Sequence, residues 1–380
     1  MARYLFLLLF FSLVKFSACA QPADSSFTLE GQMNTDSGTV ELMQTRRDAY
    51  YPFRLASSKA PLVKGRFIFR GSVLYPSAFR VRLFKGNEVL YMSGSFLVDP
   101  GFQTISCNVD SLRERPLLIN NSMLESKRYF GEVLGPVMQK IGQLEEERNH
   151  LRSIYKKNIP DSLLVSYKNE ENALQLEKKR TLLNYTKKHP SSYVALWELI
   201  GQFEWEYEPI WDTVYARFSD SIKNTHTGKT LAARLYGARV TLPGSTFPGL
   251  PLLTVTNKPV SIPDTATHNQ YTLIDFWYSH CGPCISQFQD LKNIYAVYRP
   301  KGFDILGISV DKKDLIKDWK AAIKQYRLPW KQYLDLEGKE AHKLSITFTP
   351  TNFLLDDRGK VIARDMQPAE LKLFLEKHLH

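Results

Sequence analysis

The sequence predicts a multidomain chain: an antiparallel β-rich N-terminal domain, a helical middle region and a C-terminal α/β domain. Three observations carry that reading. From about Phe27 to Val109 apolar and polar residues alternate, punctuated by Gly31, Gly38, Gly65, Gly71, Pro76, Gly86 and Pro100-Gly101. From about Ser122 to Ile222 apolar positions recur at helical spacing, as Val133, Val137, Ile141 and Leu144 do. After a turn-rich join at Leu242 to Gly249, strand and helix patterns alternate to the C-terminus.

The chain of 380 residues divides on these patterns into 1–20, 21–116, 117–240 and 241–380. Residues 1–20 read as a secretory leader. Arg3 supplies a positive start, and the apolar run Leu5 to Val14 is too short to span a bilayer, which needs about 20 helical residues. Ser17-Ala18-Cys19-Ala20 then offers small residues for processing, either by cleavage before Gln21 or with Cys19 as a lipidated N-terminus and lipid anchor. The expected location is outside the cytoplasm, in the periplasm or cell envelope.

The β-rich segment shows the period of two in Phe27-Thr28-Leu29-Glu30, Arg66-Phe67-Ile68-Phe69 and Phe79 to Phe84. Short strands with Gly and Pro turns suggest an antiparallel sandwich or open barrel. In the helical part, Asp161 and Ser162 read as a cap after Pro160, and Pro190-Ser191-Ser192 starts another apolar run. The charge-rich stretch 145–180 suits solvated helix faces. Trp197, Trp205 and Trp211 near Tyr207 are expected to form an aromatic helical core. The net charge of +11 is scattered and mixed with acids, without a basic block, so nucleic acid is not an expected partner.

In the last part, Thr272 to Trp277 and Phe303 to Ser309 are strongly apolar strands and Asp314 to Tyr326 is helical. Phe353 to Leu355 and Val361 to Ala363 are strands around the Asp356-Asp357-Arg358-Gly359 turn, and Pro368 to Leu379 is a closing helix. Alternation of this kind indicates a sheet covered by helices on both faces.

Four cysteines in 380 residues are too few to staple an exported fold. Cys19 lies in the leader, and Cys107 stands alone in a strand-like run, where it reads as a buried small hydrophobe, with a third redox partner as the alternative. Cys281 and Cys284 are the remaining pair, at the junction of the strand ending at Trp277 and a following helix. A cysteine at a helix N-terminus faces unpaired N–H groups and the positive end of the helix dipole, which favour thiolate. Thiolate attacks disulfide sulfur, and a second cysteine three residues on can close on the first. Gly282 and Pro283 suit the first turn, where proline sacrifices no intrahelical bond. A structural zinc site would want a second ligand pair, and c-type haem attachment would want His where Ile285 stands.

The segment Asp275-Phe276-Trp277-Tyr278-Ser279-His280-Cys281-Gly282-Pro283-Cys284, with Thr349-Pro350-Thr351 downstream, resembles the thioredoxin superfamily. It is most similar to the TlpA/ResA-like branch of exported thiol-disulfide oxidoreductases. The interval between Cys284 and Pro350 leaves room for the extra βα insertion of that branch, here Phe303 to about Tyr326. More weakly, Lys64 to Gly71 resembles a β-rich domain of unknown function found upstream of such modules.

The resemblance implies roles. Cys281 is the nucleophile, Cys284 the resolving thiol, and the two form the redox disulfide. Asp275 is a buried proton acceptor and donor for Cys284, and Pro350 is a cis-proline exposing the Thr349 backbone to an extended substrate. Trp277, Gly282, Pro283 and Thr349 form the substrate-binding surround. No metal or organic cofactor is implied; the implied partners are disulfide-bearing envelope proteins and a membrane electron donor. His280 stands where thioredoxins usually carry Trp, and the Glu often found in the helix of TlpA-like proteins is missing from Ile285 to Gln289. A peroxiredoxin-like peroxidase would want Thr and Pro where Tyr278 and Ile274 stand. A binding or scaffolding role carried by the N-terminal domains is the alternative from another class.

Overall fold

The computed structural model describes residues 25–53, 59–111, 114–156, 158–262 and 269–379. The leader and both of its processing routes lie outside them. Two units are distinguished by their internal contacts: one runs to Thr45 and resumes through Ser122, and the other takes Arg46 onward to 53 and everything from Met123.

The first unit is one sheet built from β1 (Ser26–Met33), β2 (Ser37–Gln44), β3 (Lys59–Val63), β4 (Arg66–Ser72), β5 (Ser77–Lys85), β6 (Glu88–Met92), β7 (Phe96–Val98), β8 (Gly101–Cys107) and β9 (Leu117–Ile119). Its order is β6-β5-β2-β3-β4-β1-β8-β9, with β7 also on β5. Alternation buries one face, so Phe27, Leu29 and Met33 of β1 meet Phe67 and Phe69 of β4, and Val81 and Leu83 of β5, in a single core. Lys64 and Gly65, at φ of 50° and 74°, make the tight turn between β3 and β4. The expected antiparallel pattern fails at one place: β1 and β8 pair in parallel, so the chain crosses over between them. Cys107 is free and buried in this core, where burial pushes its thiol up to about 12.

The second unit begins with helices α1 (Met123–Lys127), α2 (Gly135–Tyr155), α3 (Asp161–Lys188), α4 (Tyr193–Trp205), α5 (Ile210–Ala216), α6 (Asp220–Lys223) and α7 (His226–Arg239). The α2–α3 hairpin carries the charge-rich stretch, laced by Lys140–Glu177 and Arg148–Glu171 pairs. The cap of α3 is Pro160, not Asp161 or Ser162, and no side chain caps it. Ser192 does cap α4, its Oγ accepting from Ala195 N–H at 2.9 Å. Trp197 and Trp211 are buried as expected, with Tyr51 stacked on Trp197. Trp205 is not: at the end of α4 it is 91% exposed, outside the helical core.

The α/β part comprises β10 (Leu250–Thr254), β11 (Pro259–Ile262), β12 (Tyr271–Trp277), α8 (Gly282–Tyr298), β13 (Phe303–Ser309), α9 (Ile316–Gln325), β14 (Lys331–Leu334), α10 (Lys339–Lys343), β15 (Thr351–Asp356), β16 (Val361–Arg364) and α11 (Pro368–His378). The sheet order is β11-β10-β14-β13-β12-β15-β16, with β12, β13 and β14 parallel and β15 antiparallel to β12. Both faces of β12 are covered. Leu273 and Trp277 pack with Phe288 and Leu291 of α8 and with Leu371 and Leu375 of α11, whereas Ile274 and Phe276 pack on the other side with Leu306, Ile308 and Phe353. That double coverage explains why apolar residues occupy both faces of this strand. The helical part is joined closely to this sheet: Ser345 Oγ donates to Arg234 C=O at 2.6 Å, and the Cα of Gly237 lies where any Cβ would collide with the Lys343 carbonyl. The two therefore form one unit, although the sequence changes character near 240. No described helix is long and apolar enough to cross a membrane.

Candidate functional site: a dithiol at a helix start

Strand β12 delivers the chain through Tyr278, Ser279 and His280 to Cys281, which is the N-cap of α8. Cys281 Sγ accepts from Cys284 N–H at 3.2 Å, and its carbonyl accepts the first helical bond from Ile285 at 3.0 Å. Pro283 stands in the first turn, where its missing N–H costs nothing. The two cysteines are joined as a disulfide, and each is 2% exposed. Exposure therefore does not distinguish the two, but their positions differ. Cys281 sits at the unpaired N–H groups of the helix start, and Cys284 lies one turn deeper.

The Thr349–Pro350 bond is cis, and Thr349 Oγ1 lies 3.6 Å from Cys281 Sγ. The loop entering β15 thus borders Cys281. Gly282 and Pro283 are exposed, Thr349 and Pro350 half-buried, and Phe348 is a large exposed apolar side chain beside them. Phe348 escaped the sequence reading because a lone Phe in a Thr/Pro loop carries no period. Trp277 lies inside instead: its ring meets Phe288 edge-on, and its indole N–H donates to Gln332 Oε1 at 3.1 Å. It shapes the floor below the cysteines and has no surface to offer a substrate.

Asp275 is 3% exposed on β12, on the face that carries Leu273 and Trp277, which pack in one cluster with Cys284. Burial pushes its carboxyl up to about 7, so it can hold or release a proton near neutral pH.

A second buried acid was not foreseen. Asp311 is 1% exposed and accepts from Ser279 N–H at 2.9 Å, Ser279 Oγ at 2.7 Å and Ser309 Oγ at 2.6 Å. It ties the end of β13 to the loop that presents Cys281. In sequence, Asp311 followed by Lys312-Lys313-Asp314 looks like solvated charge, and only its place directly after an apolar strand hints otherwise. His280 is exposed, with Nε2 2.9 Å from Asp318 Oδ2 on α9.

A family model for Redoxin matches residues 241–373. The thiol-disulfide oxidoreductase ResA of Bacillus thuringiensis subsp. konkukian is 30% identical over 107 residues, 28% of this chain and 60% of its own length. The sporulation thiol-disulfide oxidoreductase A of Bacillus subtilis is 24% identical over 28% of this chain and 64% of its own. A solved thiol-disulfide oxidoreductase from Bacteroides fragilis is 32% identical, with 36% of this chain and all of that chain covered and a TM-score of 0.33. The chain spans about 60% of the length of the first curated relatives it matches. With its paired Cys281 and Cys284 at the start of α8, the C-terminal part of this chain is a redoxin domain with a thioredoxin-like fold, related to the ResA thiol-disulfide oxidoreductases.

Proposed function

We propose that the protein is an exported thiol-disulfide oxidoreductase that reduces disulfides of envelope proteins and is itself recharged by a dithiol donor at the membrane. The observation that carries the reading is Cys281 as the N-cap of α8, bordered by Thr349, with a buried acid on the sheet face that packs with both cysteines. Export is supported by the order of charge, apolar run and small residues in the leader.

In the reducing direction, Cys281 thiolate attacks a substrate sulfur, forming a mixed disulfide and expelling the first substrate thiolate. Asp275 carboxylate takes the proton of Cys284, whose thiolate attacks Cys281 Sγ. The mixed disulfide breaks, the Cys281–Cys284 bond forms, and the second substrate thiolate leaves to be protonated. Two electrons pass to the substrate, and the donor dithiol restores them.

The Gly282-Pro283 spacer favours a reductant. It places no cationic group between the cysteines to stabilise the thiolate, and a less stabilised dithiol gives up electrons more readily. The expected potential is nearer about −270 mV than about −120 mV. Equilibration with glutathione or dithiothreitol buffers, read by alkylation of free thiols, tests this. A value above about −170 mV would make the protein an oxidant of its clients.

A further inference from the structure

The strands around Asp275 leave an unusual gap on its face of the sheet. In register, Asp275 of β12 stands opposite Gly307 of β13, and Gly307 stands opposite Gln332 of β14. Gly307 has no side chain, so the Gln332 amide extends over it toward β12. A Cβ built on Gly307 would meet the whole amide group, with Gln332 Oε1 nearest and Cδ and Nε2 both at 2.8 Å. The amide thus occupies the place of a side chain on the neighbouring strand, about 5 Å from the Asp275 Cβ by the ordinary spacing of strands.

One end of this amide is committed. Gln332 Oε1 accepts the Trp277 indole N–H at 3.1 Å. The other end is not: Nε2 is buried without a hydrogen-bond partner, in a residue only 6% exposed. A buried amide N–H left unsatisfied is costly, and a redox or catalytic role is one of the reasons such groups persist. On the opposite flank, Asn352 of β15 is engaged in both directions with the Met366 backbone, donating and accepting at 2.9 Å. Among the described residues, the cysteines Cys281 and Cys284 belong to the same cluster as Leu273 and Trp277, which stand on either side of Asp275 in β12. Burial is the sole cause that displaces the Asp275 proton equilibrium, with no charged group contributing.

We propose that Gln332 is a positioning residue: its Nε2 donates a hydrogen bond to the Asp275 carboxylate once Asp275 has given up its proton, and holds that carboxylate toward Cys284. When Asp275 releases its proton to a thiolate sulfur, the negative charge moves from sulfur to carboxylate, in a pocket without a cation. An N–H donor already oriented by Trp277 stabilises the ionised form in place, without water entering the core. The inference rests on Asp275 serving Cys284, but its test does not.

The test reads Asp275 directly, by carboxyl-carbon NMR titration of the full-length disulfide form, with the resonance assigned from its loss in Asp275→Asn. Gln332→Met removes the donor and keeps the volume. Gly307→Ala leaves Gln332 intact but drives its amide out of the gap, and remains informative if the first variant fails to fold. Each is expected to raise the midpoint of Asp275 by about one pH unit, the scale of one lost hydrogen bond to a charged group. The pH at which Cys284 resolves a mixed disulfide at half its maximal rate should rise equally. An Asp275 midpoint unmoved or lowered in both variants would overturn the proposal, whatever the turnover rates do.

Discussion

Replacing Asp275 by Asn separates what this residue does for the chemistry from what it does to the fold. Its carboxyl is raised from 3.8 to about 7 in the folded state by burial alone. Below about pH 3.8 the group is protonated in both folded and unfolded chains, and it costs nothing. As pH rises, the unfolded chain ionises first while the folded chain keeps its proton, so stability is lost progressively until the folded group also ionises near pH 7. Three pH units at about 1.36 kcal/mol each give a loss of about 4 kcal/mol at pH 8 relative to pH 3.8. Asn carries no such dependence, but its buried amide costs about 1–3 kcal/mol at every pH where it lacks partners. Asp275→Asn should therefore be no more stable than the parent at pH 4 and more stable by about 1–3 kcal/mol at pH 8. Urea unfolding of the disulfide form at pH 4, 6 and 8 measures this. A difference between parent and variant that stays flat over that range would refute the argument, because it would mean that Asp275 is not held neutral by burial. The same variant should resolve mixed disulfides more slowly between pH 6 and 9, and unchanged rates would remove Asp275 from the chemistry.

Cys284→Ser should accumulate a mixed disulfide on Cys281, visible on non-reducing gels, whereas Cys281→Ser should accumulate none; equal trapping by both would void the assigned roles. Asp311→Ala leaves the Ser279 N–H and two hydroxyls without their acceptor, and should cost about 2–4 kcal/mol in urea unfolding while slowing the first attack by Cys281. Gly237→Ala forces a methyl against the Lys343 carbonyl and should destabilise by about 1–3 kcal/mol without altering the rate of mixed-disulfide formation, measured by the same two assays.

Much of the C-terminal part was legible because its signals are local and strong. The run Thr272 to Trp277 is strongly apolar apart from Thr272 and Asp275 because both faces of β12 are covered, and Cys281-Gly282-Pro283-Cys284 encodes a helix start within four residues. Strands β10, β11 and β14 were not legible. Each has four or five residues, β10 and β11 contain proline, and β14 begins with Lys331 and Gln332, so none shows a period long enough to read. The parallel pairing of β1 with β8 is a matter of tertiary arrangement that alternation cannot express. At the site, the residues that touch sulfur were readable and those that support them were not. Asp311 and Gln332 act through Ser279 and Trp277 across strands far apart in sequence, and their residue types are common on surfaces.

The burial of Asp275 sets stability against function at one position. A strand this apolar would be more stable at neutral pH with an uncharged residue there, and the cost falls in the pH range where the proposed mechanism uses the acid. The surrounding packing absorbs it: Leu273, Trp277, Phe288, Leu354 and Leu371 bury large side chains around the same site. A fully buried side chain of that size contributes about 1.5–3 kcal/mol, so two such residues offset the carboxyl at pH 8. The same packing excludes the water that would otherwise hydrate the carboxylate and return it to its ordinary range. The core around α8 and β12 thus does two things with one set of contacts. It carries the energetic cost of the acid, and it sets the carboxyl's proton equilibrium near neutral pH, where in the proposed mechanism the carboxylate takes the proton of Cys284.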